Sequence, residues 1–73
     1  MIPAPNIKLK ALTAKELKGF MELNGISVGE MSEILGVTPN AVKHWINGRR
    51  DISMTVTKVI RMFETYPQLI RVF

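Results

Sequence analysis

The feature of this sequence that most constrains its fold is a helix-start signal, the capping box, which occurs twice and is followed each time by a glycine. The boxes are Thr13-x-x-Glu16 and Ser27-x-x-Glu30, and the glycines stand at positions 25 and 36. In a capping box the hydroxyl accepts the backbone N–H three residues on, while the glutamate accepts the N–H of the hydroxyl residue. Glycine ends helices because it readily adopts the left-handed conformation. The pattern predicts two short helices, one beginning after Thr13 and one after Ser27.

Two more helices are predicted downstream by the same kind of signal. The third begins at Thr38, has Pro39 at its first helical position and closes at Gly48. The fourth starts near Ser53 and breaks at residues 66–67, because a residue that precedes proline is disfavoured in a helix. Residues 67–73 can then form a last turn or two.

Each predicted helix has an apolar stripe at the i, i+3, i+4 spacing of one helix face. The stripes consist of Leu17, Phe20 and Met21, then Met31, Ile34 and Leu35, then Val42, Trp45 and Ile46, and finally Val56, Val59, Ile60 and Phe63. We also expect the methionines at 21, 31, 54 and 62 to fill the core rather than to bind a ligand. The predicted fold is therefore all-α, a compact bundle of four to five short helices.

The composition excludes several classes of site. The chain has 73 residues, no cysteine and one histidine, His44, which rules out a disulfide framework and a zinc site. It has no Ser/His/Asp set at suitable spacing and no glycine-rich phosphate loop, so we expect no enzyme, no metal and no cofactor. The N-terminal residues lack the apolar core of a signal peptide, and no apolar run approaches the roughly 18 residues that span a bilayer. We therefore expect a single-domain, cytoplasmic protein.

The excess positive charge lies in the second half of the chain. The formal net charge is +4. Residues 1–36 contain four lysines and four glutamates, whereas residues 37–73 contain six basic and two acidic residues. Between positions 37 and 50 there is no carboxylate, although Lys43, Arg49 and Arg50 lie there. On charge alone, this window is either a solvated cationic face or a site for an anionic partner.

The polar face of the third helix favours the anionic partner. At helical spacing it carries Asn40, Lys43, His44 and Asn47. Asn40 can form two hydrogen bonds with adenine, Lys43 can reach guanine, and His44 can donate or accept. Arg49 and Arg50 follow at the end of the helix, where contacts with a DNA backbone are useful. These residue types point to base reading in a DNA groove.

Residues 25–38 (GISVGEMSEILGVT) and 42–48 (VKHWING) resemble the lambda-repressor-like helix–turn–helix of phage repressors, Cro proteins and many bacterial regulators. The resemblance covers about residues 13–64. It implies a five-helix DNA-binding domain, usually dimeric on an inverted-repeat operator, with the third helix as the recognition helix. It also implies that Asn40 and His44 occupy base-reading positions with Lys43 beside them, and that Asn47 and Arg49 contact phosphates.

Two residues depart from the pattern of that family. Val28 stands where the family often has a glutamine that bonds a phosphate and braces the recognition helix, and Pro39 replaces a frequent polar base-reading residue. The resemblance therefore implies fewer base contacts and more readout of DNA shape. Ser27, Thr38 and Arg50 complete the set of residues that we expect to contact the DNA backbone.

The expected partners are double-stranded DNA and a second copy of the chain, and the expected function is that of a transcriptional repressor. The alternative is an antitoxin-type or other protein-binding module, with a toxin or another regulator as its partner and DNA autoregulation as a secondary task. Residues 1–12 are predicted to form an N-terminal arm, residues 13–66 the helix–turn–helix domain, and residues 67–73 a C-terminal turn or helix. Lys8 and Lys10 of the arm either contact phosphates or keep the arm soluble. The apolar tail either folds back on the first helix or makes a dimer contact.

Overall fold

Four α-helices and a terminal 3-10 helix make up most of residues 10–72, the part of the chain that the computed structural model describes. The α-helices are α1 (Ala14–Asn24), α2 (Val28–Leu35), α3 (Pro39–Ile46) and α4 (Met54–Thr65), and the 3-10 helix spans Pro67–Val72. Residues 10–72 contain no strand, so the predicted all-α fold is confirmed. Residues 1–9 of the predicted arm, Lys8 among them, lie outside the described residues.

The predicted N-caps are present at all four α-helices. In α1, the Thr13 hydroxyl accepts the Glu16 N–H at 3.1 Å, and the Glu16 carboxylate accepts the Thr13 N–H at 3.1 Å. In α2, Ser27 and Glu30 form the same reciprocal pair, again at 3.1 Å in both directions. These caps satisfy backbone donors that a helix leaves unpaired at its start. They matter most for the eight-residue helices α2 and α3, because helices of that length are unstable alone in water.

The core forms where one face of each α-helix meets the others. α3 packs against both α1 and α2, and the 3-10 helix packs against α4. Each α-helix places a fully buried apolar side chain in this core: Leu17, Met31, Val42 and Ile60. Phe20 and Phe63 stack with their ring centroids 6.4 Å apart, which ties α1 to α4. The four α-helices therefore share a single core.

The expectation that Met54 and Met62 fill the core is wrong. Their side chains are 40% and 46% exposed, respectively. The buried arc of α4 is centred on Val56, Ile60 and Phe63. At about 100° per residue, positions 54 and 62 fall outside this arc. Met62 instead lines an open apolar groove between α2 and α4.

A buried hydrogen-bond chain joins the segment before α1 to α4. The backbone N–H of Leu12 donates to Oγ1 of Thr57 at 2.9 Å, and that hydroxyl donates to the carbonyl of Ser53 at 2.9 Å. Leu12, which the sequence analysis placed in the arm, is only 3% exposed and belongs to the core, and Thr57 is fully buried. Thr57 therefore serves as the anchor that holds the entry to α1 against α4.

Replacing this anchor with an isosteric apolar residue should destabilise the fold. In Thr57→Val the buried N–H of Leu12 loses its acceptor, which costs about 1–3 kcal/mol in free energy of unfolding. Thr57→Ser is the matched control, because it keeps both hydrogen bonds and loses one methyl group, at a cost of about 1 kcal/mol. Urea unfolding followed by circular dichroism measures both values. If the valine variant were as stable as the wild-type chain, the hydrogen-bond chain would not have the role assigned to it.

Candidate nucleic-acid interface

The helix α3 buries one side and exposes the other. Val42 is fully buried and Trp45 is 7% exposed, and both belong to the core. Asn40, Lys43 and Asn47 are exposed, and His44 is half-buried. The predicted polar face is therefore real, and it brings the amide, ammonium and imidazole groups together on one side of one helix.

The turn between α2 and α3 fixes where the polar face begins. Gly36 has φ 67°, which lets the chain reverse directly after α2. Its N–H donates to the carbonyl of Glu33 at 3.3 Å, and the N–H of Val37 donates to the carbonyl of Ser32 at 3.0 Å. This pair of bonds is the Schellman motif. Thr38 then caps α3 by accepting the N–H of Ala41 at 3.2 Å.

The same motif ends α3 and positions the two arginines. Gly48 has φ 72°, and its N–H donates to the carbonyl of Trp45 at 3.2 Å. The N–H of Arg49 donates back to the carbonyl of His44 at 2.8 Å. Arg49 and Arg50 are both exposed. The loop that carries them therefore begins at a fixed place next to the polar face.

The positive charges of this region are not neutralised by neighbouring carboxylates. The salt bridges among the described side chains, those of residues 10–70, both involve Arg61, which lies 2.8 Å from the Glu16 carboxylate and 2.9 Å from that of Glu64. The Arg61 guanidinium and the Thr13 N–H hold the pKa of Glu16 below its usual range. The first pair joins α4 to α1, the second lies within α4, and neither includes Lys43 or a loop arginine. The cations on and after α3 therefore remain available to an external anion.

The start of α2 lies beside the end of α3. Ser27 and Val28 border a shallow depression together with Lys18 of α1 and Ile46 of α3. The Ser27 hydroxyl accepts the Glu30 N–H. Hydrogen bonds from the Ser27 backbone and side chain hold the pKa of Glu30 below its usual range, which keeps this carboxylate charged. Its charge opposes a phosphate at this end of α2.

Lys18 is a cation in this region that was not among the predicted contact residues. Its position on α1 suggests only the outer face of that helix, yet the structure places it in the same depression as Ser27. The carboxylate of Glu22, one turn further along α1, borders the same depression. No local pattern could have indicated this, because the neighbourhood depends on how α1 packs against the other helices.

Comparison with known proteins identifies the family. Residues 17–60, more than half of the 73-residue chain, match the sequence model of the helix-turn-helix family. No curated protein and no solved structure matches the chain. Among the described residues, no group of His, Cys, Asp and Glu side chains could hold a metal ion. No helix in that part of the chain has the length and apolar character required to cross a membrane.

Substitution by alanine should destabilise the protein at the turn glycine before α3 and stabilise it at a glycine inside a helix. In Gly36→Ala the added Cβ would meet nothing within 4 Å, so the cost is conformational and about 1–2 kcal/mol in free energy of unfolding. Gly19→Ala is the control, since Gly19 lies inside α1 with equally open space around it. That change should stabilise the protein by about 0.5–1 kcal/mol. Urea unfolding measures the free energy of unfolding of both variants. If both substitutions changed it in the same direction, the role given to the turn would be contradicted.

Proposed function

The chain belongs to the helix-turn-helix family whose sequence model it matches, and we propose that it is a transcriptional repressor that binds an inverted-repeat operator as a dimer. Members of this family are DNA-binding regulators and are not typically enzymes. The observation that carries the proposal is the exposed polar face of α3, which has no carboxylate and ends directly at two unpaired arginines. Such a helix fits the major groove, which admits an α-helix and shows a different pattern of donors and acceptors for each base pair.

Three side chains on α3 are proposed to read bases. Asn40 lies in the first turn and is exposed, and its amide can accept from and donate to adenine at once. Lys43 and His44 follow one turn later, and the lysine can donate to guanine. The recognition helices of this class read bases mainly with their N-terminal residues. Asn40 is therefore the residue we expect to contribute most to sequence discrimination.

The contacts to the DNA backbone are proposed to flank this face at both ends of α3. Thr38 and Ser27 offer hydroxyl donors at the starts of α3 and α2. Asn47, Arg49 and Arg50 lie at the end of α3, where they can contact phosphates and fix the depth of the helix in the groove. The arginines also make affinity salt-dependent, because each phosphate that they neutralise releases a counterion.

The dimer contact is proposed to use an apolar groove of about 360 Å³ between α2, α4 and the 3-10 helix. The groove is lined by Ile34, Leu35, Thr55, Val56, Val59, Met62, Phe63 and Leu69, none of which is charged. In a two-fold dimer the same patch meets itself, so an uncharged patch avoids repulsion between identical charges. A second copy is also what an inverted repeat requires, since two recognition helices must lie one DNA turn, about 34 Å, apart.

The division of the chain follows from these roles. We propose residues 13–66 as the DNA-binding domain and residues 67–73 as a segment that adds to the dimer contact. Leu69 and Ile70 are half-buried against the core, so the segment covers α4 while keeping apolar surface exposed. Residues 1–12 are proposed as an arm, although Leu12 itself is anchored in the core. We also propose that the protein is located in the cytoplasm, where it is bound to DNA.

The same groove supports a second candidate function, an antitoxin-type module whose main task is to bind a protein partner. In that case a helix of a toxin or another regulator, rather than a second copy, would cover Met62. Co-expression with the product of a neighbouring gene tests this candidate. Co-elution that Met62→Glu abolishes would favour it, whereas a chain that dimerises alone and binds DNA without that product favours the repressor.

Substituting a base-reading residue and substituting a phosphate-contacting residue should change the affinity for DNA in different ways. A duplex selected from a random pool and a mixed-sequence duplex are titrated by fluorescence anisotropy at several salt concentrations. Asn40→Ala should cost about 1–3 kcal/mol on the selected duplex and very little on the mixed one. Arg49→Ala should weaken binding to both and lower the salt slope by about one.

Lys15→Ala serves as the control for charge alone, because Lys15 is an exposed cation on α1. It should change affinity less than Arg49→Ala does. The recognition-helix assignment would be wrong if Asn40→Ala and Lys43→Ala both left the affinity for the selected duplex unchanged.

The dimer should depend on the groove residue Met62. Met62→Glu places two carboxylates at the contact and should convert the dimer to monomers, as measured by sedimentation equilibrium. Leu23→Glu is the matched control, since Leu23 is an 86% exposed leucine on α1 and lies outside the groove. It should leave the dimer intact. A wild-type chain that remains monomeric at concentrations where it binds the operator would contradict the proposed contact.

A further inference from the structure

Trp45 combines a buried ring with a polar atom that has no partner. The residue is 7% exposed, yet its indole N–H makes no hydrogen bond with any residue of the described part of the chain. Every buried side-chain nitrogen and oxygen in residues 10–70 does have a hydrogen-bond partner. The small exposed part of Trp45 must therefore include the indole nitrogen. A donor that is held rigidly by a buried ring and still reaches the surface is suited to bind something outside the protein.

The surroundings of Trp45 on α3 indicate where this donor emerges. A helical side chain leans over the turn that precedes it, so the indole covers the surface around positions 41 and 42. Val42 is fully buried, which closes that flank. Ala41 is small and half-buried, and the half-buried His44 lies next to it around the helix. Of the two flanks, the Ala41 side, at the border of the polar face, is therefore the one that burial leaves open to the indole N–H.

The chemistry of the residues at this border indicates which kind of ligand the indole N–H can bind. An indole N–H only donates, so it needs an acceptor. α3 and the loop that follows it provide no carboxylate before Asp51, while Lys43, Arg49 and Arg50 attract anions to the same region. We propose that the indole N–H of Trp45 donates a hydrogen bond to a phosphate oxygen of duplex DNA. This inference rests on the proposed function, because it assumes that α3 lies in the groove.

The role assigned to Trp45 is that of a neutral and rigid phosphate donor. Its ring belongs to the core, so the N–H is already oriented and little entropy is lost on binding. Because Trp45 has no charge, its contact should add affinity for any DNA sequence without adding to the salt dependence. It would thus set how deeply α3 enters the groove, while Asn40 and its neighbours select the sequence.

The single tryptophan of the chain makes the test direct. The full-length, ¹⁵N-labelled protein is titrated at low salt with a mixed-sequence DNA duplex, and the one indole N–H signal is followed together with the α3 backbone amides. We expect the indole proton to move downfield and its exchange with water to slow in the complex. If the α3 amides shift while the indole signal and its exchange stay unchanged, the Trp45 proposal is overturned and DNA binding stands. If no α3 amide shifts, the proposed function itself fails.

An isosteric replacement measures the contribution of the N–H alone. The 73-residue chain is short enough for chemical synthesis with benzothienylalanine at position 45, which keeps the ring shape and replaces the N–H by sulfur. We expect the affinity for both selected and mixed duplexes to fall roughly tenfold, as for loss of a hydrogen bond to a charged acceptor, with an unchanged salt slope. Urea unfolding of the same chain shows whether the core is kept. A stable replaced chain with wild-type affinity would overturn the proposal.

Discussion

The burial of Val42 and Trp45 in the core is the interaction on which the arrangement of the molecule depends. A helix has about 3.6 residues per turn, so burying these two positions turns Asn40, Lys43 and Asn47 outward. The two residues also connect α3 to α1 and α2, since all three helices contribute to one core. The polar face of α3 is thus a consequence of packing. Any change that rotated α3 would move the polar groups of that face together.

The molecule maintains this packing with very short helices and without a disulfide, since the chain has no cysteine. Its caps account for part of the stability, because each α-helix begins at a hydroxyl that accepts a backbone N–H. The rest comes from the shared apolar core and from the buried Thr57 anchor, which ties the first described residues to α4. The Schellman turns at Gly36 and Gly48 add no buried surface of their own. They determine where the chain reverses, and so they hold α3 and the arginine loop in a fixed relation.

Much of this fold could be predicted from the sequence because its signals are local. The capping boxes at 13–16 and 27–30, the proline that opens α3 and the apolar stripes all act within one or two turns. What could not be predicted depends on contacts between distant segments. The place of Lys18 in the same depression as Ser27 and the bond from Leu12 to Thr57 leave no pattern in the sequence. The exposure of Met62, by contrast, agrees with its place off the apolar stripe of α4. For the candidate site, the polar face of α3 was predictable, whereas the apolar groove on α4 became visible only in the folded chain.

The central claim is that the exposed face of α3 reads DNA as one half of a two-fold pair. Footprinting on the DNA upstream of the protein's own coding sequence, at low and at moderate salt, tests it most directly. We expect protection of an inverted repeat whose half-site centres lie one helical turn, about 34 Å, apart. That protection should weaken steeply as salt rises. An absence of protection at low salt would contradict the claim, as would a single protected half-site with no symmetric partner.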